Sequence, residues 1–403
     1  MREIVAIIQN EWIKLLRRRR FLVVLLLSLA VVGLFSVGSY YEAKQMERYN
    51  SPEYQQQMLE DQLRHLDEMI ADENIPAADK EHMKLERTNT QERLDRVKSG
   101  QPSGTKMTAE MLRTQIEQIK ENIKNLPPDQ KWQSGDMEQQ ILTYEYYIAR
   151  DMTPNLEDFR PASSWQMIET FLMIGAMVLF PLLAVLLVAD MVSGEMTGGT
   201  IKLLLARPAS RSKILFGKYI TSLIASIILI ALLLGALTGA MFALFGTDGY
   251  EHPKTIGVRH YEEQVMMGGQ MQTIFAVDAS NAKVIPLGTF VLNGMLLTVA
   301  ATVAMTTLGF FCSTMVRSAA VSTGLAMGVV VCGTIVTQVS MGSEWLKWLP
   351  TTHFNLPSIY SGEVGQMFRL HITLGESALW LIGWTVALYL IGQWRFTKQD
   401  LLG

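Results

Sequence analysis

Residues 21–41 read FLVVLLLSLAVVGLFSVGSYY, a run without a single charged side chain. A helix needs roughly 20 apolar residues to cross the hydrocarbon core of a bilayer, so this run predicts a membrane-spanning helix. Comparable runs follow along the 403 residues at 165–189, 220–245, 285–311, 319–339 and 375–394. Because every backbone amide in hydrocarbon must find its partner within the segment, such runs can span only as helices. The sequence therefore predicts an all-α, polytopic membrane protein with six transmembrane helices.

The orientation of the spans is predicted from Lys and Arg residues near their ends, which are retained on the cytoplasmic side. Fourteen of these residues fall on one side of the spans and five on the other. The fourteen are Arg2, Lys14, Arg17, Arg18, Arg19, Arg20, Lys202, Arg207, Arg211, Lys213, Lys218, Arg317, Arg395 and Lys398. The five are Lys254, Arg259, Lys283, Lys347 and Arg369. Both termini are therefore predicted to be cytoplasmic, and the expected location is a bacterial plasma membrane.

These assignments divide the chain into alternating spans and loops. The predicted order is a cytoplasmic interfacial helix (1–20), span 1 (21–41), an extracellular helical domain (42–160), span 2 (165–189), a cytoplasmic loop (190–219), span 3 (220–245), an extracellular loop (246–284), span 4 (285–311), span 5 (319–339), an extracellular loop (340–374), span 6 (375–394) and a cytoplasmic tail (395–403). For span 1, a cleaved signal peptide is the alternative, although its apolar run is long and no A-x-A-like site follows.

The N-terminal segment has the pattern of an amphipathic helix. Ile4, Ile8, Trp12 and Leu16 recur every four residues opposite polar side chains. A helix of this kind, ending in the basic run Arg17, Arg18, Arg19 and Arg20, is expected to lie in the cytoplasmic membrane interface. A solvated extension of span 1 is the alternative.

The 42–160 insert is predicted to contain several packed helices. It holds 24 acidic and 16 basic residues, whereas the rest of the chain holds 14 and 19. Leu59, Leu63 and Leu66 begin one apolar stripe at helical spacing, and similar stripes start at Leu112 and Met137. Such stripes indicate helix packing and say nothing about a ligand. A dock for a substrate or partner and a purely structural cap both remain open.

The most informative stretch lies between spans 2 and 3 and reads DMVSGEMTGGTIKLLLARPASRSK from Asp190 to Lys213, followed by Gly217-Lys218. Residues 193–213 suit a short protruding cytoplasmic helix, with Leu203 and Leu204 as its apolar face and glycines that permit a bend. Charged side chains at Glu195, Lys202, Arg207 and Arg211 would contact a soluble partner. An ordinary cytoplasmic loop is the alternative.

The order of an acidic residue, Gly-Thr, Leu-Leu, Pro, Ser-Arg and Gly-Lys in this stretch resembles the permease subunits of type-2 ABC transporters, in particular the branch with antimicrobial-peptide immunity and sodium-export permeases. The resemblance implies a coupling helix on which two copies of a cytoplasmic ATPase act, with a second permease copy or a related permease beside it. The residues expected to couple are Asp190, Glu195, Gly199, Thr200, Leu203, Leu204, Arg207, Pro208 and Arg211. The resemblance further implies that short re-entrant helices in 340–374 form an outer gate.

Several activities have no support in the sequence. No G-x-x-x-x-G-K-[ST] phosphate loop occurs, so ATP and Mg²⁺ are expected on the partner ATPase and no cofactor on this chain. No H-E-x-x-H or G-x-S-x-G motif occurs either, and we expect no enzymatic activity. The six histidines lack close ligand spacing and are expected to be solvated, without a metal. Basic residues cluster at membrane boundaries, which argues against nucleic acid and for the lipid bilayer as a partner.

Within the spans, charged residues are scarce. Glu169 near the outer end of span 2 is either a boundary residue or a contact lining a vestibule. Trp345, Trp348 and Phe354 make the last outer loop aromatic, as in an interfacial belt or a gate. Two glycine pairs in spans 3 and 5 have the spacing that brings helix backbones close together, and we expect them to pack helices of one subunit, with a dimer seam as the alternative. They are Gly235 with Gly239 and Gly324 with Gly328.

Together these features predict the permease of an ATP-driven exporter for an amphipathic substrate, a peptide or a lipid-like molecule. Export of sodium or another ion by the same machinery is the first alternative. A membrane sensor or scaffold whose outer domain binds a ligand without transport is the second.

Overall fold

The computed structural model describes residues 2–17, 19–72, 76–100, 106–154, 163–200, 210–267 and 270–398. Six of its helices are long and apolar enough to cross a membrane. They are span 1 (Arg20–Tyr49), span 2 (Ser164–Thr197), span 3 (Arg211–Phe245), span 4 (Leu287–Met315), span 5 (Ala319–Val339) and span 6 (Leu374–Lys398). The predicted all-α class and the number of spans are confirmed. Most spans extend beyond their apolar run because the helix continues into polar flanking sequence.

The N-terminal helix (Arg2–Arg17) is separate from span 1. Arg19 lies between them with φ 54°, in the left-handed region that a helix cannot continue through. The predicted amphipathic helix is thus confirmed as a distinct element rather than an extension of span 1. We call the end of the span bundle that carries this helix the inner end, which is the predicted cytoplasmic side. The opposite end is the outer end.

Span 2 is irregular at its centre. A helix over Ser164–Ile174 passes through a π-helical turn, Gly175–Leu179, into a second helix, Phe180–Val188. Pro181 explains the break, because it has no N–H to donate and its ring displaces the carbonyl of the preceding turn. After a short turn, a five-residue helix, Ser193–Thr197, ends this span.

Span 4 lies at the centre of the bundle, in contact with spans 2, 3, 5 and 6. Spans 1, 5 and 6 are the least buried spans, with 28%, 17% and 17% of their most apolar windows buried, as expected for surfaces that face lipid or another chain. The prediction that the glycine pairs pack helices of one subunit together is wrong. Outside the adjoining residues and backbone of the same helix, no described heavy atom lies within 4 Å of a Cβ placed on Gly235, Gly239, Gly324 or Gly328.

The outer loop between spans 3 and 4 forms four short strands, which the sequence analysis did not predict. Strand β1 (Pro253–Ile256) pairs antiparallel with β4 (Lys283–Pro286), and β2 (Arg259–Met267) pairs antiparallel with β3 (Gln270–Asp278). The last outer loop forms short helices at Glu344–Trp348, Pro350–His353, Leu356–Ser361 and Glu363–Phe368. Short helices are therefore present where they were expected, and we call residues 340–374 the gate after their predicted role; that role and the re-entrant placement stay predictions.

A second compact unit comprises Val37–Asn125 and Gln140–Ser163, whereas Leu126–Gln139 belongs to the unit that contains the spans. Its helices are Pro52–Ala71, Ala77–Lys98, Ala109–Asn125 and, in part, Ser134–Ala149. A 3-10 helix, Pro128–Gln133, precedes the last of these. Leu59 and Leu63 pack against Leu94 and Val97 in a helical hairpin, and Ser51 caps the first helix by accepting from the Tyr54 amide at 3.3 Å. The predicted helical stripes therefore do bury their apolar faces.

Candidate functional site

The N-terminal helix packs directly on the start of span 3. A Cβ on Gly217 would lie 2.5 Å from Cγ2 of Ile7, so only glycine permits this close approach. Around it, Ile214, Leu215 and Tyr219 of span 3 join Phe396 of span 6 in a small apolar cluster. Gly217 of the sequence motif and Phe396 of span 6 thus both take part in packing the inner end.

A cluster of four charged side chains lies beside this contact, and we call it the inner cluster. The Nζ of Lys218 is 2.5 Å from Oε2 of Glu11 and 3.8 Å from Oε1 of Glu195. The Nζ of Lys14 is 3.0 Å from Oε1 of Glu11 and 3.2 Å from Oε1 of Glu195. Lys218 is fully buried, and Glu11 and Glu195 are 3% and 2% exposed. Two carboxylates and two ammonium groups balance, which is the condition under which buried charges are tolerated.

The inner cluster joins three separate elements. Glu11 and Lys14 come from the N-terminal helix, Glu195 from the short helix after span 2, and Lys218 from span 3. The hydroxyl of Thr200 also donates to Oε2 of Glu195. These contacts hold the short helix Ser193–Thr197, the start of the loop between spans 2 and 3, against the N-terminal helix and span 3.

The start of the inner loop is also hydrogen-bonded to spans 4 and 5. The amides of Val192 and Ser193 donate to Oγ of Ser313 at 2.9 and 3.1 Å, and the Ser322 hydroxyl donates to the Ala189 carbonyl at 2.5 Å. The expectation that Glu195 is an exposed handle on a protruding helix is therefore wrong. Its carboxylate points into the protein, because only there does it find two ammonium partners.

The other predicted coupling residues are distributed around this joint. Gly199 has φ 68°, the left-handed conformation that ends the short helix. Nη1 of Arg211 donates to the Thr397 carbonyl at 3.3 Å and so ties span 3 to the end of span 6. Asp190 forms an ion pair with Arg20, whose Nη2 donates to the Leu186 carbonyl at 2.5 Å. Leu203, Leu204, Arg207 and Pro208 lie outside the described residues.

The basic end of the N-terminal helix is only partly engaged in the structure. Trp12 is partly buried, with its ring centroid 6.2 Å from that of Phe21. Arg17 and Arg19 are exposed, as expected for side chains at a membrane interface, and Arg18 lies outside the described residues.

The comparisons with known proteins agree with this architecture. A sequence model of the family described as "ABC-2 family transporter protein" matches residues 5–401. This chain is a member of the ABC-2 transporter family. A curated relative, "Uncharacterized protein YhcI" of Bacillus subtilis (strain 168), is 27% identical over 190 residues, which cover 46% of this chain and 54% of the relative. The match thus spans about half the length of that relative.

Family membership identifies this ABC-2 protein as a membrane transport component. Three residues of its inner cluster, Glu11, Lys14 and Lys218, were not among the predicted site residues. Glu11 could have been found, because it falls on the apolar side of the N-terminal helix, three residues after Ile8. Lys14 and Lys218 appeared only as basic residues near span ends, and Lys218 also in the family motif. The burial of Lys218 could not be read from its position at the start of a span.

A second ion cluster occupies the outer end of this permease, and we call it the outer triad. The Nζ of Lys254 lies 2.6 Å from Oε1 of Glu169 and 2.6 Å from Oε1 of Glu363. Burial alone would lower the pKa of Lys254, but the charges of Glu169 and Glu363 outweigh it and raise that pKa above its usual value. Glu169 is thus an ion-paired side chain that links span 2 to strand β1 and the gate.

The aromatic residues of the last outer loop divide into buried and exposed ones. Phe354 is buried, and its neighbour Asn355 donates from Nδ2 to the Met173 carbonyl of span 2 at 3.1 Å. Trp345 and Trp348 are 50% and 64% exposed, as expected of an interfacial belt.

The prediction that all histidines are solvated is wrong for His353. This side chain is fully buried, with Nδ1 3.0 Å from Oγ of Ser377 and Nε2 2.8 Å from the Lys347 carbonyl. Burial lowers the pKa of His353, so the ring is held neutral. Two polar partners and no carboxylate in direct contact make this a structural histidine.

Proposed function

We propose that this chain is the permease of an ATP-driven exporter in a bacterial plasma membrane. Two copies of a soluble ATPase act on the inner end, and a second permease copy or a related permease completes the pathway. ATP and Mg²⁺ belong to the ATPase. Membership of the ABC-2 transporter family supports a permease that works with an ABC ATPase. The copy numbers, the direction and the substrate are the proposal.

The inner cluster is the observation that supports coupling through the inner end. A movement that the ATPase imposes on residues 201–209 would be transmitted along the chain to Glu195, which lies a few residues earlier in the sequence. Since Glu195 is bound to the N-terminal helix and to span 3, these elements would move as one body. Separating them would leave buried charges without partners, which is costly.

The composition of the spans supports an amphipathic substrate. The buried charged side chains of the described spans are Glu195 and Lys218, both towards the inner end. Glu169, whose side chain is 15% exposed, lies towards the outer end of span 2. An ion carrier usually places ionisable groups near the middle of the membrane. An apolar pathway favours peptides or lipid-like molecules. Sodium export is the alternative, and the substrate panel described below distinguishes the two.

The test reconstitutes the permease with its ATPase in vesicles and measures substrate movement per ATP hydrolysed. Glu195→Gln keeps the shape of the side chain and removes its charge, so we expect a complex that assembles and hydrolyses ATP but moves less substrate per ATP. Glu3→Gln is the matched control, because Glu3 joins the same helix to span 3 through Lys213, 2.9 Å away, on the surface. We expect its transport ratio to equal that of the wild type.

Two further arms separate the alternatives. A Leu203→Ala/Leu204→Ala variant should lose co-purification with the ATPase while the permease alone unfolds at the wild-type temperature. A panel of membrane-active peptides, tested beside sodium, identifies the substrate class. Transport by the solitary permease, driven by an ion gradient and indifferent to ATP, would refute the proposal. ATPase binding without movement of any substrate would favour a sensor.

A further inference from the structure

A cavity of about 330 Å³ opens at the outer end, between the strands and the gate helices. One wall is the chain from Ile256 to His260, at the junction of strands β1 and β2. The other wall is the gate from Ile359 to Gly365, continued by Leu370 to Leu374. Binding sites for small molecules usually begin at about 300 Å³, so this space suits one compact group. An amphipathic helix, about 10 Å across, would not fit.

Glycines shape this cavity by letting its two walls touch. Gly362 has φ 93°, and a Cβ there would lie 2.2 Å from the Val258 carbonyl oxygen. A Cβ on Gly365 would lie 2.7 Å from Nδ1 of His260. A larger residue at either position would push the gate helix away from the strands, so this arrangement depends on both glycines.

The side chains that line the cavity give it a basic character. Arg259, His260 and His371 line it, and none of its lining residues is acidic. Nδ1 of His260 is buried and has no hydrogen-bond partner among the described residues. Burial lowers the pKa of His260, while the nearby charge of Asp136 opposes that shift. The Nδ1 nitrogen faces Gly365, so His260 contributes to the cavity through the rest of its ring.

The acidic groups near the cavity are held outside it. Asp278 lies opposite Arg259 in the β2–β3 pair, and its Oδ1 accepts from the Ser280 amide at 2.9 Å. Glu376 accepts from the Thr373 amide at 2.8 Å. Both carboxylates have backbone donors of their own, and the charges of Arg259 and His371 also act on Asp278, so an external anion would share these two cations with it.

We propose that this cavity binds a phosphate group, held by Arg259 and His371, with the ring of His260 forming part of the wall. Phosphate oxygens accept hydrogen bonds from both kinds of side chain, and arginine suits them best. The group belongs either to a soluble phosphate compound or to the headgroup of an anionic lipid. Because it would contact both walls, its binding would hold the gate against the strands, and this holds whichever direction transport takes.

The experiment measures thermal unfolding of the full-length permease in two settings. In detergent without lipid, inorganic phosphate is titrated against chloride at constant ionic strength. In nanodiscs, phosphatidylglycerol is compared with phosphatidylcholine at low phosphate. Arg259→Gln and, as a second variant at an exposed position, His371→Gln are compared with Arg113→Gln, a surface control in the other compact unit.

A saturable rise in unfolding temperature with phosphate in detergent would identify a soluble ligand. A rise confined to phosphatidylglycerol nanodiscs would identify the lipid headgroup. In either case we expect Arg259→Gln to weaken the apparent affinity about tenfold or more, the loss of one charge-assisted hydrogen bond, with a smaller loss for His371→Gln. The absence of both rises, or equal effects of Arg259→Gln, His371→Gln and Arg113→Gln, would overturn the proposal.

Discussion

The two ion clusters at opposite ends of the span bundle differ in charge balance and in access to water. The inner cluster sets two carboxylates against two ammonium groups, and its central pair, Lys218 and Glu11, is 1% and 3% exposed at the side chains. The outer triad sets two carboxylates against one ammonium group, and the side chain of Glu363 is 38% exposed. Water therefore reaches Glu363 in the outer triad. In the inner cluster it reaches Lys14, whose side chain is 32% exposed, but it is excluded from the central pair of Lys218 and Glu11.

This difference separates a permanent joint from a contact that can open. Breaking a buried pair strands a charge away from water, whereas an exposed carboxylate exchanges its partner for water at little cost. We therefore expect the inner cluster to stay closed during transport. The contact between Lys254 and Glu363 is the one that the gate can release, while Glu169 keeps Lys254 in place.

The largest expected effect is that of Lys218→Met, which leaves the inner cluster with two carboxylates and one ammonium group. We expect a loss of about 3–5 kcal/mol in unfolding free energy, the usual result of removing one partner of a buried pair. Thermal and denaturant unfolding of the purified protein measures this loss.

The double variant Glu11→Gln/Lys218→Met restores the neutrality of the inner cluster and should recover part of the loss. Lys213→Met, at an exposed pair with Glu3 on the same two elements, is the control and should change stability very little. Equal losses of stability for Lys218→Met and Lys213→Met would contradict the expectation that the inner cluster stays closed.

The next effect is that of Lys254→Met at the outer triad. Glu169 and Glu363 then face each other without a cation, but Glu363 is open to water. We expect a loss of about 1.5–3 kcal/mol, the range for hydrogen bonds to charged groups. Unfolding under the same conditions as for Lys218→Met gives the comparison directly. A loss as large as that of Lys218→Met would show that the two ends are equally closed.

A smaller effect is expected from acid, through His353 at the outer end. Its folded-state pKa lies below the ordinary value of 6.5, so below about pH 6.5 the unfolded chain binds a proton that the folded chain does not. Stability should therefore fall as the pH falls from 7.5 to 5.5, by at most about 1.4 kcal/mol per pH unit from this residue. Unfolding of His353→Gln at both pH values should show a shallower dependence on pH. An unchanged dependence would mean that His353 is protonated in the folded protein.

The smallest effect is that of Glu363→Gln, which removes only the exposed partner of Lys254. We expect less than about 1 kcal/mol in global stability, as for partly exposed pairs. Hydrogen exchange should nevertheless increase in Leu356–Ser361 and Glu363–Phe368, since the gate helices lose their charged tie to strand β1. Glu344→Gln removes a more exposed pair with Lys347 and is the matched control. Faster exchange in that control, or none in Glu363→Gln, would contradict the releasable contact.

Much of the architecture was predictable because it depends on local patterns. The apolar run at 21–41 could pair its amides in hydrocarbon only by forming a helix. The helix Ala109–Asn125 ends shortly before Pro127 and Pro128, because proline cannot continue a helix. The helix Pro52–Ala71 begins at Ser51 and Pro52, a capping residue and a proline that favours the first turn. The strands of the 246–284 loop were missed because that loop was assigned only as a connection between spans. Gly268-Gly269, which lies between two runs of mixed polar and apolar residues, is a pattern that predicts a β-hairpin.

Composition and periodicity alone determined the number of spans, the amphipathic N-terminal helix and the helical hairpin packing of the insert. Each depends on neighbours within a few residues, or on the contrast between apolar side chains and water, which a linear pattern records. Only the tertiary structure decided that Glu195 is buried, that Lys218 meets Glu11, and that Lys254 joins Glu169 to Glu363. The physical reason is that a charge is stable in the interior only when a partner is present there. The pairs of Lys218 with Glu11 and of Lys254 with Glu169 and Glu363 each join residues more than 80 positions apart in the sequence.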